Sequence, residues 1–328
     1  MNKFLTLEYP YYKYTLLFNK KNILKNVKEY KSDIYNTVPN ELKNQNIEKF
    51  DNNYFIMKED YIKTELINSI TNYFSEKVRV KCNFINNISP LEYWNQHKKK
   101  IIKKTIEKYK KLSVYNIREI IFFETKLCSN FRITVALTIL NYFKPKTWLD
   151  ISAGWGDRLM CAILYNIKLY VATDPNLDLH PCYNKMIETF VPLSKRKNFI
   201  IYKNGFLEAQ LPNKKFDIVF TSPPFFTTEI YSKYPENSVS KYKNEKAWCT
   251  NFFIKSLIKA YNYLKKDGHM ILYMGGSRYV MDSMHKLDKV MKYRGVIYFW
   301  EKKPRAIYVW QKIRNDKLVS LDSTNYSS

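Results

Sequence analysis

Ser222-Pro223-Pro224-Phe225 is the stretch of this chain whose residue types and order point most directly to chemistry. It closes the apolar run Phe216 to Thr221, which reads as a buried strand ending in a rigid turn. Two consecutive prolines lock the backbone, so the Ser222 side chain and the Pro223 carbonyl keep one direction. A fixed pair of oxygen acceptors suits an aromatic amine, whose lone pair is delocalised into its ring. Accepting the N–H hydrogens at Ser222 Oγ and the Pro223 carbonyl draws the nitrogen toward sp³ and frees the lone pair for attack on a methyl donor. Phe225 offers a face for a nucleobase, a stack worth ~1–3 kcal/mol. In duplex DNA the base has to leave the helix to reach such a pocket.

A second string, Asp150-Ile151-Ser152-Ala153-Gly154-Trp155-Gly156-Asp157-Arg158, runs from a strand into a helix. Glycine at such a turn lets the backbone approach a ligand closely. Leu159 stands where a nicotinamide-binding fingerprint needs its third glycine, so a pyrophosphate cradle is a poor match. On the following strand, Ala172-Thr173-Asp174-Pro175-Asn176 places an acid where it can accept both hydroxyls of an adenosine ribose.

These loops need a sheet to hold them. Strands are expected at Trp148 to Ile151, Leu169 to Ala172, Phe199 to Tyr202, Asp217 to Phe220 and Met270 to Met274. A hairpin follows, Gly295 to Phe299 and Ala306 to Trp310, around the charged turn 301–305. The intervening helical stretches imply an α/β fold with a mostly parallel sheet and an antiparallel edge. Residues 116–143 read as two packed helices that turn near Ser129-Asn130. Apolar spacing at Ile62, Leu66, Ile70 and Phe74 predicts a helix over Lys58 to Phe74. Ser89-Pro90 has the residue types of a cap and first helical position, and the helix it opens runs on to Lys111. This helix carries Lys98, Lys99, Lys100, Lys103 and Lys104, either a solvated face or a surface for phosphates.

The organisation expected is a basic, mainly helical N-terminal extension over 1–112, available for substrate binding. A catalytic domain over 113–316 and a polar tail over 317–328 follow it. The loop Thr227 to Lys246, with Tyr231, Tyr234 and Tyr242, is a second candidate for target specificity. Lys and Arg number 55 against 30 Asp and Glu, a formal net charge of +25 that favours a polyanionic partner such as DNA or RNA. The five cysteines and four histidines are scattered without metal-ligand spacing, which fits reduced thiols, no metal and an intracellular, cytoplasmic setting. No secretory h-region and no membrane-length apolar run is present, and nothing in the sequence indicates a protein partner.

The strings DISAGWGDR, ATDPN and FDIVFTSPPFF resemble motifs I, II and IV of class I S-adenosyl-L-methionine-dependent amino-methyltransferases with a (D/N/S)-P-P-(Y/F) motif. Within that group the chain is similar to DNA methylases of large DNA viruses, over roughly Ser89 to Trp310. The resemblance implies a Rossmann-like sheet with S-adenosyl-L-methionine as cofactor. It assigns Asp150, Ser152, Ala153, Gly154 and Gly156 to the cofactor loop and Asp174 to the ribose. Asn204 or Gly205 falls beside the adenine. Asn130-Phe131-Arg132 resembles a diverged motif X that contacts the methionine end. Adenine-N6 enzymes mostly begin the catalytic motif with Asp or Asn. Ser is commoner among cytosine-N4 enzymes, which usually have the reverse motif order. Three readings stand open: adenine N6 or cytosine N4 methylation in DNA or RNA, RNA-specific cap-adenosine methylation, and a non-catalytic nucleic-acid-binding subunit. The last usually lacks the catalytic motif or the cofactor acid, both of which are present here.

Overall fold

A computed structural model describes residues 2–11, 15, 18–35, 55–59, 64–84, 86–226, 229–231, 235, 237–299 and 306–321. In chain order the strands are β1 (Ser32–Tyr35), β2 (Phe55–Glu59), β3 (Asn83–Phe84), β4 (Thr147–Asp150), β5 (Leu169–Thr173) and β6 (Phe199–Tyr202). They continue with β7 (Phe216–Thr221), β8 (Glu229–Ile230), β9 (Leu264–Tyr273), β10 (Lys292–Phe299) and β11 (Ala306–Gln311). Nine of them form one sheet in the order β1-β2-β10-β11-β9-β7-β4-β5-β6. From β9 to β6 every pairing is parallel, and β11 is antiparallel to both β9 and β10. The seven strands β10-β11-β9-β7-β4-β5-β6 make the Rossmann-like sheet that the resemblance implies, with its antiparallel C-terminal edge.

Alternating side chains divide the core. Trp148, Tyr170, Ile218 and Phe220 face the helices Ile133–Phe143, Asp157–Tyr165 and His180–Phe190. Leu149, Val171 and Val219 face Ile254–Tyr263 and Arg278–His285. Burial on both faces is why β4 and β7 read as near-continuous apolar runs. Trp148 stacks on Phe220 at 5.3 Å and donates its indole N–H to the Phe220 carbonyl at 2.7 Å, pinning the two strands that end in the candidate loops.

The N-terminal region differs from its sequence reading. In place of a helix over Lys58 to Phe74, Phe55–Glu59 is a strand, followed by helices Thr64–Asn68 and Asn72–Arg79. The strand pairs in parallel with β10, a long-range partner that outweighs local helical spacing. β1 extends the same sheet beyond it, so residues 32–35 and 55–59 continue the catalytic sheet. Helix Pro90–Tyr109 begins as expected, with Ser89 Oγ accepting the Glu92 N–H at 3.2 Å. It packs on Val114–Thr125 around a third cluster that includes Trp94, Ile101, Ile117 and Ile121. In the stretch expected as a polar tail, Leu318 and Leu321 are buried, while residues 322–328 and the turn 301–305 lie outside the described residues. Among the described residues no helix is long and apolar enough to cross a membrane.

Candidate active site

A cavity of about 340 Å³ opens where the carboxyl ends of β4, β5 and β7 meet, the place at which parallel sheets of this kind bind ligands. Ser152, Ala153 and Gly154 line it from the loop after β4. Gly154 sits at φ +59°, a conformation that suits glycine, and its carbonyl accepts the Tyr183 hydroxyl.

Two residues assigned to this loop have other work. Asp150 is fully buried beneath the cavity and does not line it. Its carboxylate accepts from Arg158 Nε at 2.8 Å, the Tyr170 hydroxyl at 2.9 Å and the Ser152 N–H at 3.2 Å. Gly156, at φ +92°, is also absent from the wall. A Cβ there would meet Met186 Cε at 2.7 Å, so Gly156 lets helix Asp157–Tyr165 pack closely on its neighbour.

Asp174 does reach the cavity from the end of β5. Its oxygens accept the N–H groups of Gly154 and Asn176, both at 2.9 Å, and it is 7% exposed. Burial pushes its carboxyl up to about 6, and the hydrogen bonds only partly offset that penalty. Gly205 lines the wall beside Phe206, whereas Asn204 is exposed outside it.

Ser222, Pro224 and Phe225 line the same cavity after β7, while Pro223 is buried and not part of the wall. Ser152 Oγ donates to the Ser222 carbonyl at 2.8 Å, joining the two glycine- and proline-marked loops. Phe225 meets Tyr273 edge to face, ring centroids 6.3 Å apart.

Asn130, Phe131 and Arg132 line the far wall. The Asn130 amide donates to Asp157 Oδ1 at 3.1 Å and to Thr71 Oγ1 at 3.0 Å, and the Phe131 N–H reaches Asp157 Oδ2 at 3.1 Å. Thr71, from the N-terminal region, donates to Asp157 as well. Asp157 is thus a buried bracket at the start of its helix, and burial raises its pKa.

Sequence reading did not single out Glu229, Asn176, Lys241 or Tyr273, all of which line the cavity. Glu229 belongs to the loop suspected of target specificity, and that loop's Tyr231 and Tyr242 are in the wall; Tyr234 lies outside the described residues. Pairing of β8 with β3 brings Glu229 in, a contact between distant segments with no local signal.

The lysines of helix Pro90–Tyr109 lie away from the cavity wall. Lys98 is half-buried and donates to the Leu7 carbonyl at 2.8 Å, and Lys104 pairs with Glu124 at 2.5 Å. Lys103 stands 3.9 Å from Glu107. Lys99 and Lys100 are exposed.

No family model matches the chain, and no curated protein does. Among solved structures, a methyltransferase from Pyrococcus furiosus is 18% identical, covering 56% of this chain and 84% of its own, at a TM-score of 0.39. TrmN from Thermus thermophilus is 14% identical over 56% of this chain and 49% of its own, at 0.42. A ribosomal protein L11 methylase from Lactobacillus delbrueckii subsp. bulgaricus is 13% identical over 56% and 77%, at 0.37.

Proposed function

We propose that the chain is an S-adenosyl-L-methionine-dependent methyltransferase acting on an exocyclic amino group, adenine N6 or cytosine N4, of a base in DNA or RNA. The observation that carries this reading is the meeting of Asp174 and Ser222-Pro223-Pro224-Phe225 at one cavity, with Ser152 bonded to the Ser222 carbonyl between them. The residues present fit the cofactor. A buried carboxylate stands ready for ribose hydroxyls, Gly205 and Phe206 form a flat wall for adenine, and the volume is in the range of small-ligand sites. Bound there, the cofactor supplies an electrophilic methyl group on a positively charged sulfur.

Phe225 stacks on the target base and sets its plane. Ser222 Oγ and the Pro223 carbonyl accept the amine hydrogens, which localises the lone pair on nitrogen. A methylated amine nitrogen is cationic and acidic, so its proton leaves without a strong base. The excess of cationic side chains, Lys99 and Lys100 among the exposed ones, attracts the polyanion.

The direct test is transfer of labelled methyl to DNA, uncapped RNA and capped RNA, followed by nucleoside mass spectrometry. N6-methyladenine or N4-methylcytosine is the expected product; no labelled base from a protein that binds the cofactor would overturn the reading. A pH dependence accompanies it. Ribose hydroxyls donate to the ionised form of Asp174, whereas the free protein keeps that proton up to about 6. Cofactor affinity is therefore expected to fall below that pH, by up to about tenfold per unit. In the unliganded protein the sign is opposite. The raised pKa makes the folded state the better proton binder, so this group's contribution to stability is lost as pH rises through about 6. Calorimetric titration from about pH 5 to 8 measures the binding effect, and a flat affinity would remove Asp174 from the ribose.

A further inference from the structure

Four carboxylates border the cavity among the described residues: Asp157, Asp174, Glu208 and Glu229. Asp157 brackets Thr71, Asn130 and Phe131. Asp174 ends β5 at the ribose position, and Glu208 pairs with Lys241 at 2.5 Å. Glu229 stands on the wall of Asn130 and Arg132, where its Oε1 accepts the Ser129 N–H at 3.4 Å. It is 7% exposed. A carboxylate so far removed from water, at the edge of a cavity, favours a cation inside that cavity.

We propose that Glu229 binds the α-ammonium group of the cofactor's amino-acid end, with Arg132 across the same wall facing its α-carboxylate. This rests on the reading of the cavity as a site for S-adenosyl-L-methionine. Asp150, the first acid of the cofactor loop, is committed to Arg158 beneath the wall and does not meet the ligand. Glu229 is held in place from two sides. β8 pairs with β3, and Asn176 Nδ2 donates to the carbonyl of Tyr231 at 3.1 Å, fixing the segment to the turn that follows Asp174. The ammonium-binding group is thereby carried on the chain that leaves the catalytic motif at Phe225, so the amino-acid end of the cofactor and the base-binding loop share one support.

Calorimetry with two ligands tests this: S-adenosyl-L-methionine, and 5′-deoxy-5′-methylthioadenosine, which keeps adenine, ribose and sulfur but lacks the amino-acid end. Glu229→Gln keeps shape and removes charge. It is expected to weaken the first ligand by about ten- to a hundredfold and the second by less than about twofold, the scale of one charge-assisted hydrogen bond. Equal losses for both ligands would make Glu229 a structural residue of the loop, and unchanged binding of the first would remove it from the site; either result overturns the proposal. Wild-type protein that binds neither ligand would instead refute the cofactor reading itself, and the inference would fall with it. Unchanged affinity for the thioether nucleoside in the variant certifies that the cavity is intact.

Discussion

Asp150→Asn is expected to unfold at a markedly lower temperature than the wild type, before any effect on ligand is considered. The carboxylate is fully buried, its partner Arg158 is 4% exposed, and Tyr170 and the Ser152 N–H complete its hydrogen bonding. An amide at this position leaves the guanidinium buried without its counter-charge and turns an N–H₂ toward donors. Removing one member of a buried pair costs about 3–5 kcal/mol. For a chain of this size that corresponds to a Tm lower by roughly 5–15 °C. Differential scanning calorimetry of the unliganded protein measures it. A variant with unchanged Tm and lost cofactor affinity would instead return Asp150 to the ligand, as the motif resemblance implies. The converse variant, Arg158→Gln, is expected to show a loss of the same order, because it strands the carboxylate.

The two acids show where sequence stops being informative. Asp150 and Asp174 both follow apolar strand residues and both stand beside glycine- or proline-containing turns. Which one faces the ligand depends on Arg158, in the first turn of the next helix, and on Tyr170, across the sheet on β5. The strands themselves were legible where burial on both faces forces a continuous apolar run, as in Phe216–Thr221. β9 begins at Leu264, earlier than expected, because Lys265, Lys266 and Asp267 resemble a polar turn in sequence. β2 was read as helix because its five residues acquire their conformation from β10, a partner near the other end of the chain. Glu229 was missed for the same reason, since only pairing with Asn83–Phe84 carries it to the cavity. Local chemistry such as Ser222-Pro223-Pro224 and Gly154 survives in sequence; positions set by long-range pairing do not.

Ser222→Ala is expected to lower the rate of methyl transfer by about 10²–10³-fold, the usual effect of removing one preorganised hydrogen-bonding partner of a developing charge. The substitution removes Oγ alone. The backbone stays in place because its carbonyl is held by Ser152 Oγ at 2.8 Å and the two following prolines fix its direction. Affinity for S-adenosyl-L-methionine is therefore expected to change by less than about threefold, since a hydroxyl outside the ribose and adenine contacts contributes little to that ligand. Single-turnover transfer with labelled cofactor, beside a calorimetric Kd, separates the two quantities. Ser222→Asn keeps an acceptor oxygen at this position and is expected to recover part of the rate. The pH profile gives a further check: titration of Asp174 at about 6 acts on cofactor binding, so the single-turnover rate at saturating cofactor should not follow that pKa in either protein. Equal losses of rate and affinity would show that Ser222 shapes the cofactor loop through Ser152 rather than holding the amine. A rate unaltered by loss of the hydroxyl would leave the Pro223 carbonyl as the acceptor and reduce the clamp to one oxygen.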